Sequence, residues 1–168
     1  MSVEIVVHSE QETERLGAIL AHALPDGAVV TLLGTLGAGK TRLVQAVAEA
    51  SGVPKGAVGS PTFVLVKEYR GQKREIYHFD AYRLRDSDEF LALGVDEYFD
   101  SDGVSFVEWA DRVEDVLPSD RFEISIVPVG ETSRDVRITA LGEYQNDEID
   151  YEFEILEEWR GAARYGLL

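Results

Sequence analysis

With 168 residues, 18.7 kDa and 45% apolar content, the chain has the size and the hydrophobic supply of one compact domain. Its 32 acidic side chains against 16 basic ones leave a net charge of −16, which repels polyphosphate and excludes unaided gripping of DNA or RNA. The absence of cysteine excludes a disulfide framework, a thiolate zinc site and a cysteine nucleophile.

The opening residues, Met1 to His8, carry Glu4 where a secretory leader has basic residues, and no apolar run reaches membrane-spanning length, so a soluble cytoplasmic protein with no membrane partner is expected. Ser9-Glu10-Gln11-Glu12 has the form of a capping box. Leu16, Ile19, Leu20, Ala23 and Leu24 follow at the spacing of one helical face, predicting a helix that stops near Pro25-Asp26-Gly27. Ala28 to Leu33 reads as a short, almost wholly apolar strand of the kind buried on both faces of a parallel sheet. From Thr41 the apolar positions Leu43, Val44, Val47 and Ala48 return to helical spacing until Ser51-Gly52.

Thr62 to Tyr69 and Arg74 to Phe79 are strand-like runs on either side of Arg70-Gly71-Gln72-Lys73, which predicts a hairpin. Asp86 to Leu93 reads as a helix capped by Asp86 and ended by Gly94, and Val104 to Val107 as a buried strand ending at Glu108. Phe122 to Val127 and Val136 to Leu141 predict two further strands. Between Asp147 and Trp159 neither a period of two nor one of 3.6 wins, so a weak helix or an ordered tail is expected. The pattern as a whole predicts an α/β fold with a mostly parallel sheet flanked by helices and an antiparallel hairpin extension. Residues 1–142 form the domain, and the acidic segment 143–168 extends it.

The chemistry concentrates between the first strand and the second helix. Gly34-Thr35-Leu36-Gly37-Ala38-Gly39-Lys40-Thr41 fits the phosphate-binding P-loop and has the strand and helix context the pattern requires. Glycines let backbone N–H groups curl around phosphate oxygens, and the helix N-terminus adds a positive dipole end. Leu36, Gly37, Ala38, Gly39, Lys40 and Thr41 are therefore the candidate nucleotide-binding residues. Lys40 supplies a mobile charge for the terminal phosphates, and Thr41 a hydroxyl for Mg²⁺. No Asn-Lys-x-Asp guanine-reading motif occurs, which favours ATP over GTP.

Two acids end buried strands, at the edge where ligands bind to α/β sheets: Asp80 after Ile76 to Phe79, and Glu108 after Val104 to Val107. Either suits a Mg²⁺-holding role, while the remaining acids occupy polar stretches. Ser60-Pro61-Thr62 reads either as a switch that brings Thr62 to the γ-phosphate or as a plain turn. His78, inside an apolar strand, reads as a hydrogen-bonded structural residue, and Trp109 as core; either position also suits the lining of a site.

Taken together these segments resemble the bacterial TsaE (YjeE) ATPases: the P-loop, Ser60-Pro61-Thr62-Phe63, the run Tyr77-His78-Phe79-Asp80-Ala81-Tyr82-Arg83-Leu84, Leu93 to Phe99, and Glu108-Trp109, in that order and spacing, over residues 9–140. Thr35 and Ala81 depart from the family pattern at positions without an assigned chemical role. The resemblance implies a P-loop NTPase fold that binds ATP and Mg²⁺, with Lys40, Asp80 and Thr62 catalytic and Thr41 and Glu108 as metal ligands. It also implies nucleotide contacts from Trp109, from Arg134 to base or ribose, and from Glu10 and Gln11. The implied activity is an ATPase, weak without partners, that supports threonylcarbamoyladenosine formation at adenosine 37 of tRNAs reading codons beginning with A. It would act with the TsaD and TsaB proteins and meet tRNA only through that assembly. A small-molecule P-loop kinase and a non-hydrolysing nucleotide-sensing module are the alternatives.

Overall fold

The computed structural model describes residues 2–61 and 63–145. Seven strands form one sheet: β1 (Ser2–Val7), β2 (Val29–Leu33), β3 (Val66–Arg70), β4 (Glu75–Asp80), β5 (Val104–Glu108), β6 (Arg121–Pro128) and β7 (Arg134–Leu141), in the order β1-β7-β6-β2-β5-β4-β3. The pairs β2–β5, β2–β6 and β4–β5 are parallel, whereas β1–β7, β6–β7 and β3–β4 are antiparallel. The expected mostly parallel sheet is thus corrected to a parallel centre with an antiparallel hairpin at each side. The reason is that β6 and β7 are joined by a short turn, which can only connect antiparallel neighbours.

Strand β1 went unread in the sequence, although Val3, Ile5 and Val7 alternate with Ser2, Glu4 and Val6 at period two, the first set buried and the second exposed. It pairs along β7 and is pinned by Arg137 Nε donating to Glu4 Oε1 at 2.7 Å. The hairpin starts later than expected, at Val66. Val64 N and Leu65 N both donate to Pro61 O, at 3.0 and 2.7 Å, and Leu65 adopts φ 67°, so the chain turns before it pairs. The stretch Asp147 to Trp159, expected to be a weak helix or tail, lies outside the described residues.

Helices α1 (Glu10–Ala23) and α2 (Lys40–Ala50) cover one face of the sheet. Ser9 caps α1 by accepting from Glu12 N at 3.2 Å, as the capping box requires. The returning Glu12 carboxylate takes the amide of His8, at 2.6 Å, rather than that of Ser9. The two helices approach so closely at Gly17 that a Cβ there would lie 2.3 Å from the Cβ of Ala46; only glycine permits this crossing. Leu16 and Leu20 of α1 and Leu43, Val44 and Val47 of α2 pack with Val30, Leu32, Phe106 and Ile124 into an aliphatic core.

The opposite face is aromatic. Short helices α3 (Ser87–Leu91) and α4 (Val95–Phe99) set Phe90, Tyr98 and Phe99 edge-on to Phe79, with ring centroids 5.9, 5.2 and 6.0 Å away. Such pairs add roughly 0.5–1.5 kcal/mol each beyond burial. The helix expected over Asp86 to Leu93 ends earlier, at Leu91, and Gly94, with a left-handed φ of 75°, instead opens α4, a helix the sequence reading did not separate.

Candidate functional site

Strands β2, β4, β5 and β6 run the same way, so their carboxyl ends share one edge, and the double reversal through β7 brings the end of β1 there as well. At this edge lie the loop 34–39, Asp80, Glu108, the start of β7 and the N-termini of both long helices. The parallel centre and the reversed β7 together collect them.

Loop 34–39 enters α2 through Gly39, whose φ of 113° closes the loop in a conformation unfavourable for any side chain; nothing stands within 4 Å of where its Cβ would be. Leu36 at the loop tip is 83% exposed. The first amides of α2 have no partner inside the helix, which leaves donors and a positive dipole end at the loop. Lys40 folds back over this loop: its Nζ donates to Gly34 O at 2.5 Å and Thr35 O at 3.1 Å, and lies 4.2 Å from the centroid of the Trp109 indole. Burial lowers its pKa below the ordinary lysine value, against the opposing pull of Glu108, Asp80 and Asp111. The ammonium thus rests on neutral oxygens and an aromatic face, contacts weaker than those an anion would offer.

Thr41, on the next position of α2, donates from Oγ1 toward Glu108, with Oε1 at 3.1 Å and Oε2 at 3.2 Å. His78 Nε2 meets the same carboxylate at 2.7 Å from Oε2. Asp80 and Glu108 are register partners across β4 and β5, so the two acids stand side by side at the sheet edge. Both are almost fully buried, as are Lys40 and His78. Asp80 Oδ1 accepts from Tyr82 N at 2.8 Å, which holds the chain in a tight turn beyond the strand. Trp109, with φ 58°, places its ring 4.8 Å from that of Tyr82 and across Lys40, so it is half-buried at the mouth of the site while packing against the aromatic core.

Beyond the loop lies a cavity of about 220 Å³ lined by residues that include Glu10, Thr13, Ala38, Gly39, Arg134 and Val136. Arg134 ties it to the loop: Nε donates to Ala38 O at 2.8 Å, and Nη1 to Ser133 O at 2.9 Å. Of the residues singled out in the sequence, Gly37, Ala38, Gly39, Lys40, Thr41, Asp80, Glu108 and Trp109 are brought together, and Arg134 and Glu10 flank them at the cavity. Gln11, on the exposed side of the first turn of α1, does not line that cavity. Thr62 lies outside the described residues. The reading missed the bond of His78 to Glu108 and the contribution of Thr13 and Val136, whose residue types carry no chemical signal; for His78 the signal was an imidazole two positions before a strand-end acid. No cluster of three or more histidines and acids suited to a metal occurs among the described residues.

Comparison with known proteins agrees on one family. The model of the family described as "Threonylcarbamoyl adenosine biosynthesis protein TsaE" matches residues 7–136. The chain is 42% identical over 132 residues to the tRNA threonylcarbamoyladenosine biosynthesis protein TsaE of Bacillus subtilis, a match covering 79% of this chain and 82% of that one. To the protein of the same name from Treponema pallidum it is 35% identical over 133 residues, covering 79% and 97%. Among solved structures, the crystal structure of YdiB from Bacillus subtilis superposes with a TM-score of 0.75 at 32% identity, covering 94% of this chain and 97% of that chain.

Proposed function

The chain belongs to the TsaE family of tRNA threonylcarbamoyladenosine biosynthesis proteins, and from that premise we propose that it is a P-loop ATPase, Mg²⁺-dependent, acting in the cytoplasm with the TsaD and TsaB proteins. The observation that carries this reading is the Thr41–Glu108 pair beside Lys40. Two cis ligands of an octahedral Mg²⁺ at about 2.0–2.1 Å stand about 3 Å apart. The Thr41 hydroxyl and the Glu108 carboxylate, hydrogen-bonded at 3.1 and 3.2 Å, stand at that spacing, which supports their holding the ion together. When bound, Mg²⁺ would neutralise charge on the terminal phosphates.

The rest follows from this chain's own groups. Lys40 exchanges the carbonyl oxygens of Gly34 and Thr35 for phosphate oxygens, gaining charge-to-charge contacts in a water-poor site. The loop amides and the start of α2 hold the phosphates. Asp80 orients the attacking water or the outer shell of the ion, and Thr62 reports the γ-phosphate. The cavity is smaller than the ~300–1,000 Å³ of a site that encloses a whole ligand, so it takes one part of the nucleotide. With Arg134 and Glu10 at its wall, it receives the base or ribose while the tail lies on the loop.

The kinase alternative asks for arginines over the transferring group. Here Arg85 pairs with Glu89 at 2.6 Å, Arg112 donates to Tyr82 O and Leu84 O, and Arg83 lies over Phe63. Each of the three is engaged outside the loop.

The deciding experiment measures ATP hydrolysis by the purified protein alone and mixed with TsaD and TsaB. Weak turnover that rises at least tenfold in the mixture, with co-elution of the three proteins, is expected. No stimulation and no co-elution would overturn the reading, and a phosphorylated metabolite would replace it with the kinase.

A further inference from the structure

Lys40 and Glu108 carry opposite charges, both buried at the same sheet edge, and yet they do not pair. The ammonium donates to Gly34 O and Thr35 O, and among the described residues no ion pair joins it to Glu108. It lies over the ring of Trp109, the residue next to Glu108, and of the acids that pull on it Glu108 acts most strongly. In a water-poor site an ammonium is drawn far more strongly to a carboxylate than to a neutral carbonyl, so the carboxylate must be held back.

Thr41 and His78 do the holding. The Thr41 hydroxyl is 3.1 and 3.2 Å from the two Glu108 oxygens and does not choose between them. His78 does choose, with Nε2 at 2.7 Å from Oε2. It lies two residues before Asp80, the register partner of Glu108, and so on the same face of β4 as Asp80. The imidazole is fully buried, and its Nδ1 has no hydrogen-bond partner among the described residues. A hydrogen on Nδ1 would be a buried donor without an acceptor. The carboxylate can only accept, so the hydrogen belongs on Nε2 and the bond runs from His78 to Glu108. An aliphatic side chain would fill the same space without leaving an unsatisfied nitrogen, so what the imidazole adds is this bond. A carboxylate oxygen that accepts one hydrogen bond keeps a lone pair for a cation.

We propose that His78 keeps the empty site open: its Nε2–H holds the Glu108 carboxylate against Thr41 and away from Lys40, so that the ammonium stays available to phosphate. The inference rests on the nucleotide reading above. Without that bond the two buried charges close on each other, and an incoming phosphate must first break the pair. His78 acts through Glu108 and is a positioning residue.

The test is calorimetric titration of inorganic tripolyphosphate and of ATP into the purified protein, in EDTA and in Mg²⁺. The proteins are wild type, His78→Leu, His78→Gln and the double variant His78→Leu with Glu108→Gln. The expected result for His78→Leu is a loss of about tenfold or more for both ligands in EDTA, the scale of one hydrogen bond between charged groups that binding must break. His78→Gln, whose amide nitrogen reaches the position of Nε2, binds as wild type does. In the double variant Lys40 has no charge to close on, and the affinity in EDTA returns. That return separates a charge pair from a merely loosened fold. Unchanged affinity in EDTA for folded His78→Leu, or a loss that Glu108→Gln does not reverse, overturns the inference and leaves the nucleotide reading intact. Wild type that binds the two ligands only with Mg²⁺ also overturns the inference alone, and wild type that binds neither in any condition overturns both. Should His78→Leu fail to fold, nitrogen-15 NMR of the wild-type imidazole decides: hydrogen on Nε2 supports the assignment, and hydrogen on Nδ1 ends it.

Discussion

At the loop end of the site, the proposed phosphate end, Lys40, Thr41, Asp80 and Glu108 are single side chains that offer a charge or a hydroxyl, each fixed at a strand end or at the first turn of α2. At the cavity end, the uncharged Thr13, Ala38 and Val136 come from α1, the loop and β7, with Glu10, Arg42, Glu131 and Arg134 around them. One end is a set of particular atoms; the other is a shape, with Arg134 bridging the two through Ala38 O. On the proposed nucleotide reading, the contrast would make affinity for a triphosphate tail separable from affinity for the rest of a nucleotide, because different groups would supply the two.

The largest expected effect breaks the phosphate end. Lys40→Ala removes the mobile charge, and ATP and inorganic tripolyphosphate should both lose roughly a hundredfold in affinity by calorimetry, about 2.7 kcal/mol. Equal affinity for ATP in that variant would dissolve the distinction between the two ends. The next effect isolates the shape. Thr13→Trp fills the cavity from the half-buried face of α1, and should cost ATP about tenfold while leaving tripolyphosphate binding unchanged. A parallel loss for both ligands would mean that the cavity holds no part of the nucleotide.

A smaller change tests the bridge. Arg134→Ala frees Ala38 O and the β6–β7 turn, and about 1 kcal/mol of stability should disappear in denaturant unfolding, with ATP weakened more than tripolyphosphate. The smallest tests the frame: Ser9→Ala removes the α1 cap and should cost about 0.5–1 kcal/mol with little change in binding of either ligand.

Much of the phosphate end was readable because it is local. Loop 34–39 and its helix are contiguous, and a glycine-rich turn between a buried strand and an amphipathic helix needs no distant contact to be recognised. Asp80 and Glu108 were readable as acids closing apolar runs, although only the parallel pairing of β4 with β5 makes them neighbours. The cavity was not readable, since Thr13 and Val136 are 123 positions apart in the numbering and acquire a common purpose only when β1, β7 and β6 pair. Strand β1 was overlooked for a different reason: its alternation was present, but its residues were weighed only against a leader, which Glu4 excluded, and not as an edge strand.

By itself the amino-acid order determined most elements and their local chemistry: where the long helices start and stop, which loop fits a phosphate-binding pattern, and which acids end buried strands. These depend on neighbours within a few residues, through capping, side-chain period and the freedom of glycine. Tertiary structure decided how the hairpins at either side join the parallel centre, that His78 faces Glu108 Oε2, and that Arg134 closes on a loop 96 residues away. Those outcomes depend on strand order and burial, whose energies are collected only when distant segments exclude water together.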